Sequence, residues 1–124
     1  MENNWDSIKF RDAIEIPITR QNLFYMQRQF SVIDHMKFFP YDTVGAQNPA
    51  DNVDLSYKVK TIKIETDLGF EIETDIVGKR FVFRNRSYTK GTIKYMNDRN
   101  VKPGDTIVIE KIDAYNYKMY IKAV

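Results

Sequence analysis

The sequence predicts a mainly β fold, a barrel or pseudobarrel of about seven strands with one or two short helices. Three observations predict it. Aromatic residues reach 14%, with eight Tyr and eight Phe, and aromatic and β-branched side chains suit a pleated, half-buried surface. Apolar residues alternate with charged ones at a period of two in several short runs, the pattern of strands with one buried face. Gly, Pro, Asn and Asp punctuate those runs as turn formers.

The elements follow in order. Residues 1–11 are a lead-in, and residues 12–124 form one domain, since 124 residues suffice for one hydrophobic core but not two. Residues 12–19 (DAIEIPIT) read as a first strand, and Pro17 marks it as an edge or bulged strand. Residues 20–29 (RQNLFYMQRQ) mix polar and aromatic side chains with no clear period, which suits an ordered, exposed loop. Phe30, Val32 and Ile33 suggest a short second strand. Asp34 is placed to cap a short helix over 35–39 that Pro40 ends. Residues 41–56 form a long connection, expected to be the most mobile inner segment.

The strand signal then strengthens. A strand covers residues 57–64, with a bulge where alternation breaks between Val59 and Ile62. Leu68-Gly69 turns into a second strand, in which Phe70, Ile72, Thr74 and Ile76 alternate with Glu71, Glu73 and Asp75. After a turn at 77–79, residues 80–87 form a strand with Phe81 and Phe83 on one face. Residues 90–100 read as a helix with Ile93, Met96 and Val101 toward the core and Thr89 as N-cap. Pro103-Gly104-Asp105 turns into a terminal hairpin, residues 106–112 and 117–124. Closure of such a set removes exposed sheet edges.

Net charge is only +2, but the charges are segregated. Residues 65–75 hold five acidic side chains (Glu65, Asp67, Glu71, Glu73, Asp75) and no basic one. Residues 79–102 hold eight basic side chains (Lys79, Arg80, Arg84, Arg86, Lys90, Lys94, Arg99, Lys102) against one acidic, Asp98. That local excess suits phosphates. The bland alternative is a solvated face whose cations pair with the acidic hairpin next door. The chemistry favours DNA. In Arg84-Asn85-Arg86-Ser87-Tyr88, Arg suits guanine O6 and N7, Asn suits adenine N6 and N7, and Ser and Tyr suit the sugar-phosphate backbone. Thr19-Arg20-Gln21-Asn22, with Tyr25, Gln27 and Arg28, repeats this vocabulary. Two such loops on one side of a barrel would grip a major groove.

Other chemistries are weakly supplied. No cysteine is present, which removes disulfides, thiolate metal sites and cysteine nucleophiles and fits a cytoplasmic protein. No apolar run approaches the ~20 residues of a membrane helix, and the polar start of the chain is not a signal peptide. No cofactor or metal is expected. His35-Met36-Lys37 with Asp42 matches the spacing of phospholipase-D-type nucleases, but the Gly-Ser and Asn that normally follow are replaced by Gly45-Ala46-Gln47-Asn48. His35 more simply opens a short helix that packs Phe38 or Phe39 inward. Glu71, Glu73 and Asp75 share a strand face that suits magnesium, yet no lysine follows at restriction-nuclease spacing.

Three ordered patches carry a resemblance. They are Glu73-Thr-Asp-Ile-Val-Gly-Lys-Arg-Phe-Val-Phe-Arg84, then Val101-Lys-Pro-Gly-Asp-Thr-Ile-Val-Ile-Glu110, then Tyr115-Asn-Tyr117. With Phe38-Phe39-Pro40 and Gly45, they resemble the bacterial relatives of plant B3 DNA-binding domains, among them recognition domains of some restriction endonucleases such as the EcoRII-type effector-binding domain. The resemblance covers roughly residues 12–124. The plant tryptophan before the Phe-Arg segment is missing, and the segment between Arg86 and the helix is shorter.

The resemblance implies a DNA-binding pseudobarrel of about seven strands and two short α-helices. It implies an N-arm and a C-arm that enter the major groove. By position the N-arm is residues 19–28, with Thr19, Arg20, Gln21, Asn22, Tyr25, Gln27 and Arg28. The C-arm is residues 79–90, with Lys79, Arg80, Arg84, Asn85, Arg86, Ser87, Tyr88 and Lys90. The expected partner is double-stranded DNA, with a nuclease domain or subunit as candidate companion and no membrane. The expected function is target recognition without catalysis in a restriction-modification system. A nuclease using His35 and Lys37 and a protein-interaction β-barrel are the alternatives.

Overall fold

Period-two alternation becomes burial wherever a strand has one face on the core. The computed structural model describes residues 12–45, 59–78, 80–85 and 87–122. Among them lie β1 (Ala13–Pro17), α1 (Arg20–Met26), 3-10 turns at Ile33–Phe38 and Tyr41–Thr43, β2 (Val44–Gly45), β3 (Ile62–Thr66), β4 (Glu71–Thr74), β5 (Ile76–Val77), β6 (Val82–Phe83), α2 (Gly91–Asp98), β7 (Thr106–Lys111) and β8 (Asn116–Ile121). In β1, Ile14 and Ile16 point inward; in β3, Ile62 and Ile64; in β4, Ile72 and Thr74.

Two sheets result, ordered β1-β7-β8-β3-β4 and β2-β5-β6. β3 runs parallel to β8 and β2 parallel to β5, and the other pairs are antiparallel. The fold is the mainly β pseudobarrel expected from the sequence. Pro17 sits on an edge strand, as its missing N–H requires. α2 packs against β4 at the opposite edge of the larger sheet.

Aromatic packing joins the sheets. Phe83 of β6 stacks on Phe30 at 5.4 Å between centroids and meets Phe39 edge-on at 5.8 Å. Phe39 lies 5.5 Å from Tyr117 of β8. These offset and edge-to-face arrangements are the favourable ones for ring quadrupoles. Burial pushes the Tyr117 phenol's pKa up, and its hydroxyl donates to the Ala114 carbonyl at 2.8 Å.

Several sequence expectations are corrected. The strand expected at 30–33 is only a bridge, Ser31 to Val82, and Ile33 is exposed in a 3-10 turn. That turn is not an α-helix capped by Asp34. Its N-cap is Val32, and His35 leaves helical geometry at φ −130°, ψ 40°. Part of the long connection is ordered as a 3-10 turn and β2, while residues 46–56 lie outside the described ones. The strand expected at 57–64 begins at Ile62, without a bulge between Val59 and Ile62, because the Lys60 N–H bonds instead to the Asp42 carbonyl at 2.8 Å. Its first residues, Tyr57 and Lys58, lie outside the described ones.

The strand expected at 70–76 breaks at Asp75, where the chain changes sheets. The Thr74 hydroxyl holds that corner, donating to the Asp75 carbonyl at 2.8 Å and accepting from the Asn85 N–H at 3.0 Å. The strand expected at 80–87 shrinks to Val82–Phe83, both buried, because Phe81 takes a left-handed φ of 51°. Its φ ends the alternation that the sequence suggested. The N-cap of α2 is Lys90 and not Thr89. Among the described residues no helix is long and apolar enough to cross a membrane.

Candidate nucleic-acid interface

Three backbone contacts set where the two arms begin. The Val32 N–H donates to the Phe81 carbonyl at 2.8 Å, and the Phe83 N–H donates to the Phe30 carbonyl at 3.0 Å. Ser31 bridges Val82 between them in antiparallel sense. The N-arm enters this short ladder through Gln29, and the C-arm leaves it through Arg84. Antiparallel pairing therefore puts the end of one arm and the start of the other at the same end of the ladder. Buried Phe30 and Phe83, stacked on each other, fix that end.

The N-arm is a helix, not the loop expected from its composition. Thr19 caps it in a reciprocal box. The Asn22 N–H donates to Thr19 Oγ1 at 3.1 Å, and the Thr19 N–H donates to Asn22 Oδ1 at 2.8 Å. Asn22 Nδ2 also donates to the Pro17 carbonyl at 3.0 Å, tying the helix to the end of β1. Met26 is buried. Gln21, Phe24, Tyr25 and Arg28 are exposed, and their spacing of three, four and seven makes one helical face. The major groove admits an α-helix. Thr19→Ala is expected to lower stability by about 1 kcal/mol and to fray α1, read by urea unfolding and by amide exchange at residues 21–23.

Within that face, Arg28 lies over the Phe24 ring with its guanidinium carbon 3.6 Å from the centroid. Its Nη1 donates to the Phe24 carbonyl at 3.2 Å. Tyr25 donates to Gln29 Oε1 at 3.3 Å. Arg20 is exposed and Gln27 half-buried. Sequence reading missed Phe24, which is 64% exposed. The signal was available, because Phe24 and Arg28 are four residues apart.

The C-arm is built by side-chain-to-backbone bonds rather than by a strand. Asn85 Nδ2 donates to the Glu73 carbonyl at 2.9 Å, and the Asn85 carbonyl accepts from the Thr92 N–H at 3.1 Å. Asn85 thus ties the arm's base to both β4 and α2. Ser87 and Thr89 share a hydroxyl contact at 3.0 Å, and the Ser87 N–H donates to the Lys90 carbonyl at 3.1 Å. This turn displays Tyr88, 79% exposed, and Lys90, also exposed. Gly91 follows at φ +85°, where a Cβ would lie 2.5 Å from the Asn85 carbonyl oxygen. Arg80 is exposed, while Lys79 and Arg86 lie outside the described residues.

The acidic hairpin does take some of the cations. Arg84 Nε donates to both carboxylate oxygens of Asp75 at 2.9 Å. Arg99 Nε binds Asp67 at 3.0 Å, while Lys94 pairs within its own helix with Asp98. Among the described residues Arg80, Lys90 and Lys102 have no such carboxylate. The Arg84 pair is half-exposed, so its effect on stability is small. Its effect is orientation, because Asp75 fixes the guanidinium at the root of the C-arm.

His35 is half-buried and Lys37 exposed in the first 3-10 turn. Asp42 is engaged elsewhere. The Tyr115 hydroxyl donates to Asp42 Oδ2 at 2.8 Å and Lys60 Nζ lies 3.4 Å from the same oxygen. The Tyr115 bond, aided by Lys60, holds the Asp42 carboxyl below its ordinary pKa. Among the described residues, no group of three or more His, Cys, Asp or Glu is placed to hold a metal ion.

No family model and no curated protein matches the sequence. Among the solved structures that share its fold are the following two. The N-terminal domain of Helicobacter pylori LlaJI.R1 aligns with a TM-score of 0.54 at 13% identity, over 91% of this chain and 88% of that one. The hypothetical Arabidopsis thaliana protein At1g16640.1 aligns with a TM-score of 0.53 at 11% identity, over 91% of both chains. At such identities the likeness is one of fold.

Proposed function

We propose that this chain recognises duplex DNA sequence-specifically, presenting α1 and the 84–90 turn to the major groove. The observation that carries the reading is the common origin of the two arms at one end of the ladder joining residues 30–32 to β6. Both arms offer base-reading and phosphate-binding groups there, and the fold supplies a rigid base. Arg84, oriented by Asp75, and Arg28, seated on Phe24, are the candidates for guanine contacts. Arg20, Lys90 and Tyr88 are the candidates for the backbone, whereas Arg80 precedes Phe81 at the other end of the ladder. The restriction-modification setting, and a nuclease domain or subunit as companion, rest on the sequence resemblance to restriction-endonuclease recognition domains.

Selection from a random duplex pool, followed by mobility shifts across a salt series, tests the reading. An enriched motif and salt-dependent binding are expected; absence of both would overturn it. Arg84→Ala is expected to cost about 1–3 kcal/mol on the enriched duplex and far less on unrelated duplexes. Lys90→Ala is expected to weaken all duplexes alike and to reduce the slope of log K against log salt by about 0.9. The recognition role itself carries no chemistry, so purified protein is expected to leave plasmid intact. Cleavage abolished by His35→Ala would contradict that.

A further inference from the structure

We propose that the stacked pair Phe24–Arg28 reads a dinucleotide step, guanine beside a pyrimidine that carries a C5-methyl group. The inference rests on the DNA-recognition reading above and names what α1 would recognise. A phenyl ring 64% exposed gains little from folding and leaves apolar area that a partner can cover. Arg28 covers one face of it. The guanidinium is held twice, by the ring and by the Phe24 carbonyl, so little side-chain freedom remains to be lost on binding. One of its five N–H groups is used in that bond, which leaves donors for guanine O6 and N7.

The spacing adds the second half. Ring and guanidinium lie 3.6 Å apart, close to the rise of about 3.4 Å between successive nucleotides of a strand. In a docking pose that aligns the guanidinium-to-ring direction with the DNA axis, a guanidinium level with one base pair puts the ring level with the next. The major-groove feature that favours an apolar partner over a polar one is the C5-methyl group. Gln21 and Tyr25 share the same exposed face, and neither supplies an apolar ring seated on a cation.

Thymine and 5-methylcytosine both present that methyl. Three random duplex libraries separate them: an ordinary one, one with uracil for every thymine, and one with 5-methylcytosine for every cytosine. The enriched motif is expected to contain a pyrimidine-guanine step. Removing the pyrimidine methyl from the enriched duplex is expected to weaken wild-type binding about fourfold and to leave Phe24→Ala unchanged. If that loss comes from uracil substitution, the source is thymine; if it comes from cytosine substitution in the methylated library, the source is 5-methylcytosine. Enrichment with no methyl effect in wild type, or an equal methyl effect in Phe24→Ala, overturns the inference and leaves DNA recognition standing. No enrichment in any library overturns DNA recognition, and this inference with it. Phe24 is exposed, so an unchanged melting temperature of Phe24→Ala confirms that folding is not the cause.

Discussion

Phe83→Ala is expected to lower unfolding free energy by about 3–5 kcal/mol, a large share of what a domain this size possesses. Phe83 has no exposed surface and sits between Phe30 and Phe39. Those rings leave little room for collapse into the cavity. The position also carries the Phe83 N–H to Phe30 carbonyl bond at the shared end of the two arms. Loss of packing there should loosen both arms together. Urea unfolding reads the stability, and amide exchange at residues 28–32 and 82–85 reads the loosening. Phe83→Leu, which keeps much of the volume, should cost markedly less.

Gly91→Ala is expected to damage the C-arm more than any exposed substitution. Its φ of +85° lies where L side chains are strained, and a Cβ would meet the Asn85 carbonyl oxygen and Oδ1, both at 2.5 Å. The strain alone is worth about 1–2 kcal/mol, and relief of the clash must move Asn85. Asn85 anchors the arm to Glu73 and to Thr92. Affinity for the selected duplex should therefore fall by tenfold or more, while the fold persists at reduced stability. Circular dichroism with a mobility-shift titration checks both halves. Unaltered affinity would show that the C-arm's base does not set DNA binding.

The regular strands were legible because burial on one face leaves a period-two trace. Ile14 and Ile16, Ile62 and Ile64, and the hairpin at Leu68-Gly69 all stand where alternation placed them. What failed was governed by contacts distant in sequence. Val82 and Phe83 are neighbours and both buried, so alternation cannot mark them. The corner at Asp75 depends on Thr74 meeting Asn85.

α1 was misread for another reason. Its buried face is small, with Met26 alone fully buried and Leu23 packed partly against the core. The outer face is aromatic, which masks the 3.6-residue period. Thr19 and Asn22 did hold the capping signature in the sequence, with Asn in place of the usual Glu or Gln. The acidic run and the basic run were both visible, but Arg84 with Asp75 and Arg99 with Asp67 are pairings that only the fold reveals.

The most direct test of two-arm recognition is an amide chemical-shift map of the isotope-labelled protein titrated with the selected duplex. Perturbations are expected to concentrate at residues 20–28 and 84–91. Shifts confined to β1, β7 and β8, with both arms unmoved at saturation, would contradict it.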